Sequence, residues 1–317
     1  MAGNSVFEIS ILGRSVWNLH SLNNEGTVGN VSEPRTVILA DGSKSDGISG
    51  EMLKHIHAQN VWLVATDRSV FCEPCQTLQP QKADKNPDVT GVKAARAKLA
   101  SEGMNVAIAA CALCDLHGFL VQKPTIARAS TVEFGWAVAV RNGFHRDIHL
   151  HARHAVEGRT EGQQEAGEVA AQMIYHRPTR SGTYALASVF QPWRIGLNEV
   201  NYEYVAGVDR EARYRLAIEA YKATFARTDG AMTSTRLPHP EAFEGVVLVS
   251  SRNFPVPVTS PLQDDYREKL QQLSRATEGL EPQPFNSLTE LYGILNELAK
   301  RPLFNLQLAR SSKREKK

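Results

Sequence analysis

The sequence predicts an α+β fold on a split β-α-β, ferredoxin-like core. Three observations carry this expectation. The chain opens on an alternating apolar stretch, two helical segments are separated by strand-like runs, and a last apolar run, "GVVLVSS", follows the second helix.

Ser5 to Arg14 is the first strand, with Phe7, Ile9 and Ile11 on one face. A polar, glycine-bearing loop follows, then the strand-like "TVILA" and the turn cluster "DGSKSDG". Ser49 is placed to cap a helix carrying Met52, Leu53, Ile56, Leu63 and Val64. From Asp67 to Thr90 the chain turns polar, and a short helix is expected over about Val92 to Ser101. "MNVAIAACALC" reads as a buried strand, and "STVEFGWAVAV" alternates Val132, Phe134, Trp136, Val138 and Val140 as the firmest strand signal. Asn142 to Ala171 has no apolar periodicity and reads as a long excursion of the functional kind. "AAQMIYHRP" and "GTYALASVFQP" are strand-like, Asp209 to Thr228 is a helix, and Ser287 with Glu290 forms a capping box opening a late helix. The tail "RSSKREKK" is basic and expected to be disordered. Stripped of excursions, the order is strand, helix, strands, helix, strand. RNA-recognition modules use that order, but the fold hosts many unrelated functions.

With 317 residues, 42 % hydrophobic and 22 % charged, the chain has ample length for a buried core. A formal charge of +2 gives no nucleic-acid signal in the total, so any basic surface must be local. No cationic segment followed by an apolar run opens the sequence, and no stretch approaches the roughly 20 apolar residues of a membrane helix. The expected location is the cytoplasm, where four cysteines are poor disulfide candidates.

Those cysteines form two C-x-x-C pairs, Cys72/Cys75 and Cys111/Cys114. Two such knuckles supply four thiolates to one structural zinc per chain, with no position left open for chemistry. The gap of about 35 residues exceeds the usual zinc-ribbon spacing, so an inserted helix must loop out between the pairs. Two other readings stay open: Cys111 as a small buried hydrophobe, and a redox pair, although neither knuckle opens a helix inside a βαβ unit. The P-C-x-x-C half of the zinc-deaminase pattern is absent, as is H-E-x-x-H.

"FHRDIHLHARHAVEGR" packs His145, His149, His151 and His154 among Arg146, Arg153 and Arg159. H-x-H on a strand places both imidazoles on one face, which allows a second metal. A solvated hairpin face is the ordinary alternative. A cationic arm laid along a nucleic-acid backbone is preferred, because Arg and His donate to phosphate oxygens. "SDGISGEMLKH" leads a glycine-serine turn into a helix start, whose free N–H groups suit a phosphate. Lys54 and His55 lie within reach of the same backbone. On these residues alone, a well-capped ordinary helix is the simpler reading.

Taken in series, these segments resemble the DevR-like "Cas seven" family, the repeated backbone subunit of type I CRISPR Cascade complexes. The matching landmarks are "FEISILGRS", "ISGEMLKHIHA", "DLHGFL", "STVEFGWAVAV", "MIYHRPTRSGTYALASVF", "EAYKATF" and "GVVLVSSRNFPVP", in the family's order from about Ser5 to Leu262. The double knuckle is not general to the family and leaves the subtype open.

The resemblance implies a right-hand shape. Its palm would be ferredoxin-like, over 1–57, 122–141 and 172–262, with fingers over 58–121 and a thumb over 142–171. A C-terminal helical segment (263–309) and the basic tail (310–317) would complete the chain. It implies no catalysis: copies stack head to tail along guide crRNA and present its bases to target DNA, beside other Cascade subunits in antiviral defence or RNA-guided targeting. Carried onto this sequence, Ser49, Lys54 and His55 become guide-backbone contacts, with Arg146, Arg153 and Arg177 on the arm. Asn18, Lys44, Phe119 and Met173 are looser matches. Head-to-tail contact does not close, so filament growth follows. A rival reading takes Asp41 or Asp46, in the loop before the first helix, as the cutting aspartate of type III relatives; ordinary turn chemistry is the preferred explanation of both. A second rival is an autonomous regulator binding its own transcript or promoter.

Overall fold

The computed structural model describes residues 4–153 and 173–306. Much of the expected thumb, with His154 and Arg159, and the tail 310–317 lie outside the described residues.

The first strand, β1 (Glu8–His20), runs longer than the sequence pattern indicates. The polar loop after it contains a hairpin, β2 (Asn24–Val28) and β3 (Val31–Pro34), and β4 (Thr36–Ile38) follows. "DGSKSDG" is only partly a turn, since Lys44–Ile48 forms β5. Tertiary packing overrides local propensity there. A Cβ on Gly47 would sit 2.9 Å from both the Trp136 and Val37 side chains, and Ser45 Oγ donates to the Ala139 carbonyl at 2.7 Å. Helix α1 (Gly50–Val64) begins as expected, with Ser49 Oγ accepting from Met52 N–H. Gly50 has a packing reason to be glycine: a Cβ would meet the Phe134 carbonyl at 2.1 Å.

Between residues 65 and 131 the chain builds a lobe from α2 (Glu73–Gln76), α3 (Pro87–Thr90), α4 (Leu99–Ala110), α5 (Ala112–His117) and the small hairpin β6 (Phe119–Val121) and β7 (Ile126–Arg128). This corrects two expectations. "MNVAIAACALC" is the second half of α4 followed by α5, not a strand, and the expected helix at 92–101 starts only at Leu99. The run is alanine-rich, the composition most favourable to helix.

The chain then returns as β8 (Val132–Phe134), β9 (Ala137–Arg153) and β10 (Met173–Phe190). The alternating "STVEFGWAVAV" is thus split at Gly135 and Trp136, and Ala137 and Ala139 are its deepest residues after the break. The excursion after Val140 is a continuation of β9, paired in antiparallel register with β10 from Phe144–Gly182 out to Arg153–Met173. After the short pair β11 (Leu197–Asn198) and β12 (Glu203–Tyr204) come α6 (Arg210–Ala226) and β13 (His239–Ser250). The C-terminal segment is not wholly helical: α7 (Tyr266–Ala276) and α8 (Leu288–Leu298) flank an edge strand, β14 (Leu280–Phe285). The capping box stands, with Ser287 Oγ accepting from Glu290 N–H.

Ten of these strands join one mostly antiparallel sheet, seven in the order β14-β13-β1-β10-β9-β5-β4, with β3 and β8 pairing on β10 and β2 on β3. Its two faces carry different apolar sets, as period-two alternation requires. Ile9, Ile11, Val247 and Val249 share a core with Leu53, Val61, Ala217, Tyr221 and Leu295 of α1, α6 and α8. Leu12, Val246 and Leu248 face the other way, onto Tyr266 and Leu270 of α7. The outcome is a mixed α+β fold whose longest strand pair projects as an arm, with the helical lobe packed against α1 and α6. Among the described residues, no helix is long and apolar enough to cross a membrane.

Candidate functional site

The four cysteines converge. Their sulfurs lie within 4.8 Å of one another, and all four residues are buried. Cys72 precedes α2 and Cys75 lies on it; Cys111 caps α5, its sulfur accepting from Cys114 N–H at 3.3 Å. Cys114 stands 3.7 Å from Cys75 and 4.0 Å from Cys72. A tetrahedron with metal–sulfur bonds of about 2.3 Å has edges of about 3.8 Å, so this donor set fits one four-thiolate ion. A cation is in any case demanded if the thiols ionise in so dry a place. Lys82 adds a nearby positive charge, its Nζ donating to the carbonyls of His117 and Gly118 at 3.3 and 3.0 Å. Burial pushes that ammonium down from its ordinary range, against the pull of the neighbouring thiols. Four protein donors close the site to substrate.

The six residues of α5 do more than carry Cys114. Asp115 is fully buried; its Oδ1 accepts from Arg128 Nη2 at 2.5 Å, and its Oδ2 from Arg213 Nη1 at 2.7 Å and Gly196 N–H at 2.9 Å. His117 meets His57 of α1, Nε2 to Nδ1, at 2.9 Å, and His57 Nε2 lies 3.2 Å from the Ala217 carbonyl of α6. The carbonyl can only accept, so His57 carries its proton on Nε2 and takes a hydrogen bond from His117. Burial holds the His57 ring neutral, its pKa pushed down to about 3. The helix ends at Gly118 with φ +66°, where a Cβ would also lie 2.3 Å from the Arg128 carbonyl, so glycine is required there.

The expected nucleic-acid contacts fall into two groups. On α1, Ser49 is buried and engaged in capping, with its N–H on Asn23 Oδ1 at 2.9 Å. His55 is exposed on a groove of about 600 Å³ shared with Asn23, Asn24, Gln59 and Arg227. Lys54 is half-buried, and loss of solvent lowers its pKa while Glu133 opposes the shift. On the arm, Arg177 lies over the Tyr175 ring at 4.7 Å, and Tyr175 stacks on His151 at 5.4 Å. His149 and His151 share this face, as H-x-H spacing on a strand requires. His149 Nε2 meets Thr179 Oγ1 at 2.7 Å, and Arg236 donates to His151 Nε2 at 2.6 Å. That engages both rings, and among the described residues only the four cysteines form a group of three or more converging metal donors. Arg146 belongs to the opposite face, directly across from Arg180.

The remaining candidates are scattered. Asn18 donates to Glu241 at 3.1 Å, Lys44 is exposed at the start of β5, and Phe119 is buried at 8 % exposure on β6 in the lobe. Arg153 and Met173 pair through the backbone at the outer end of the arm.

Asp41 lies in the turn and pairs with Arg141, and it accepts from Ser43 Oγ at 2.6 Å. Asp46 is not a loop residue. It is fully buried on β5, with Oδ1 accepting from Arg146 Nη2 at 2.8 Å and Oδ2 lying 3.7 Å from Arg180 Nη1. Arg180 donates from Nη2 to the Asn23 carbonyl at 2.9 Å. Among the described residues its Nε and Nη1 and Asp46 Oδ2 have no hydrogen-bond partner, and a buried polar atom so left costs about 1–3 kcal/mol.

Sequence reasoning missed Asn23, Tyr175, Arg180 and Arg236, which join these groups. Tyr175 and Arg177 had a signal in their period-two spacing; Asn23 and Arg236 come from irregular segments whose pattern points nowhere.

The family model for the CRISPR-associated negative auto-regulator DevR/Csa2 matches residues 11–271. The chain belongs to the DevR/Csa2 family. The DevR/Csa2 match runs from β1 into α7, so it takes in the lobe, the arm and every strand of the central sheet but β14. A chain of a solved "CRISPR RNA-guided surveillance complex, pre-nicking" shares the fold: TM-score 0.51, 13 % identity, 84 % of this chain and 89 % of that one. A chain of a "CRISPR RNA-guided surveillance complex" aligns at TM-score 0.47 and 12 % identity, over 92 % of this chain and 98 % of the other. No curated protein matches this DevR/Csa2 chain.

Proposed function

We propose that this chain is a non-catalytic backbone subunit of a type I CRISPR effector complex of the Cascade kind. Copies lie head to tail along guide crRNA, hold its phosphates and leave its bases to pair with target DNA. The observation that carries the reading is the DevR/Csa2 match across residues 11–271. The fold likeness to a chain of an RNA-guided surveillance complex is consistent with it.

Several features support the finer parts. The order β13-β1-β10-β9, with α1 and α6 on one face, supports a ferredoxin-like palm. The lobe and the arm would then serve as fingers and thumb. A subunit that serves any guide needs distributed phosphate donors rather than one base-reading cluster, and here the cations are divided between α1 and both faces of the arm. The four thiols would hold a structural zinc. Asp46, sealed between two arginines, is poorly placed to ligate a metal for RNA cleavage.

One observation favours a second reading: the family's own description is of a negative auto-regulator. A protein acting alone in that way would bind one transcript or promoter with a fixed stoichiometry.

Native mass spectrometry with single-stranded RNAs of increasing length separates the two. Bound copies rising in regular steps, whatever the RNA sequence, support the stacking subunit. A fixed ratio on a single sequence supports the regulator.

A further inference from the structure

We propose that Arg146 is a phosphodiester-binding residue at the root of the arm, held on Asp46 in the free protein and released to nucleic acid on binding. The inference rests on the guide-binding reading and adds to it a named contact and its internal competitor.

The argument starts from charge. Arg146 and Arg180 are directly opposite on β9 and β10, a placement that like charges disfavour. Asp46 on β5 reaches both, so one carboxylate serves two guanidinium groups and leaves an excess positive charge. The two arginines differ in access. Arg180's side chain is fully buried, whereas 34 % of Arg146's is exposed, so only Arg146 can meet a ligand from solvent.

The hydrogen bonding is lopsided. Asp46 gives its good bond to the exposed arginine, Oδ1 to Arg146 Nη2 at 2.8 Å. The buried arginine is left 3.7 Å away, with Nε and Nη1 unpartnered, beside the unpartnered Asp46 Oδ2. Two orphan donors and one orphan acceptor are chemically complementary. If Arg146 leaves, the carboxylate is free to turn to Arg180 and satisfy them.

Removing a partner from a buried charge is ordinarily ruinous, because the charge is left bare. Here it is not, since Arg180 remains. The exchange is therefore a carboxylate traded for a phosphate at Arg146, with no bond made or broken covalently and no charge stranded. A phosphodiester is the fitting ligand: it is anionic and accepts the paired N–H bonds that a guanidinium offers.

The test is the salt dependence of binding to polyuridylate by wild type, Asp46→Asn, Arg146→Gln and the double variant. Each is first checked for a wild-type circular dichroism spectrum. Asp46→Asn is expected to bind several-fold tighter, because the competing charge is gone. Arg146→Gln is expected to bind more weakly, with the slope of log affinity against log salt shallower by about 0.7, the share of one phosphate on a single strand. In the Arg146→Gln background, Asp46→Asn should give no gain. An Asp46→Asn protein that folds but binds no tighter, or a gain that survives Arg146→Gln, overturns the proposal. If Asp46→Asn does not fold, the exposed Arg146→Gln decides alone, and an unchanged slope overturns it. Wild-type protein that binds no RNA overturns the guide-binding reading and this proposal together; binding with an unchanged Arg146→Gln slope overturns this proposal alone.

Discussion

Two buried aspartates in this chain each hold two arginines, yet they are built to opposite ends. Asp115, where the lobe meets the helices, has both oxygens bonded at 2.5–2.9 Å, and Arg128 spends its remaining donors on the carbonyls of Asp115, Leu197 and Arg194. Asp46, at the root of the arm, has one good bond, one partner at 3.7 Å and unpartnered atoms on both sides. A saturated network has a single arrangement, so it fixes geometry. An unsaturated one has a second arrangement within reach, so it can respond to a ligand. The lobe junction is a clamp and the arm root is a contact that can change hands.

The largest effect should come from the lobe. Replacing Cys111 with serine is expected to abolish metal binding and the cooperative unfolding of the lobe, since structural zinc sites contribute on the order of 10 kcal/mol to folding. Metal content by mass spectrometry and the shape of the thermal transition read both. An unaltered transition would detach the thiols from the clamp altogether.

Next, Asp115→Asn should cost about 3–5 kcal/mol in urea unfolding, because it takes the counter-charge from the fully buried Arg128 and the half-buried Arg213. Asp46→Asn should cost clearly less, since its network is already incomplete. Equal costs would erase the distinction between the two sites.

Acid sharpens the comparison further. His57 in the clamp and His20 near the arm root, bonded to the Tyr184 hydroxyl at 2.9 Å, are both pushed down to about 3 by burial, with the Arg180 charge adding to it at His20. In the unfolded chain each titrates near 6.5, so between those values the unfolded state holds the extra proton. Their contribution is complete above pH 6.5 and is lost as pH falls, by about 1.4 kcal/mol per pH unit for each ring. Urea unfolding from pH 7 to pH 5 measures the slope, and His20→Gln should remove one share while leaving the His57 share intact.

The smallest effect is at the cap between the regions. Ser49→Ala should cost about 1 kcal/mol and Ser49→Asp almost nothing, by the same unfolding measurement.

Both aspartates were visible in the sequence, but their roles were not. Cysteine spacing alone brought four thiols together correctly, and Ser49 and Ser287 announced two helices through capping chemistry that acts within one turn. Wherever the deciding partner lay far along the chain, local pattern failed. Asp46 read as a turn residue because serine and glycine surround it, while its strand is imposed by Trp136 and Ala139, some ninety residues on. "MNVAIAACALC" read as a strand because an apolar run is ambiguous without length, and its alanines pointed to the helix that forms. The outer part of β9 showed no periodicity because residues 145–150 are exposed on both faces of the strand, so neither needs to be apolar. Asp115 was quoted within "DLHGFL" and still gave no sign of its partners, Gly196 and Arg213, which lie some eighty to a hundred residues later.

The long reach of β1 has a consequence for synthesis. It pairs with β10 through Ile9–Phe190 and with β13 through Ile9–Val249, so neither edge can be covered until most of the chain has left the ribosome. The four-thiol pocket needs nothing beyond Cys114 and can close while β1 still lacks both neighbours. During that interval a long apolar strand has two open edges, the circumstance in which nascent chains pair with one another. A cell that makes this protein in many copies at once must shelter that strand.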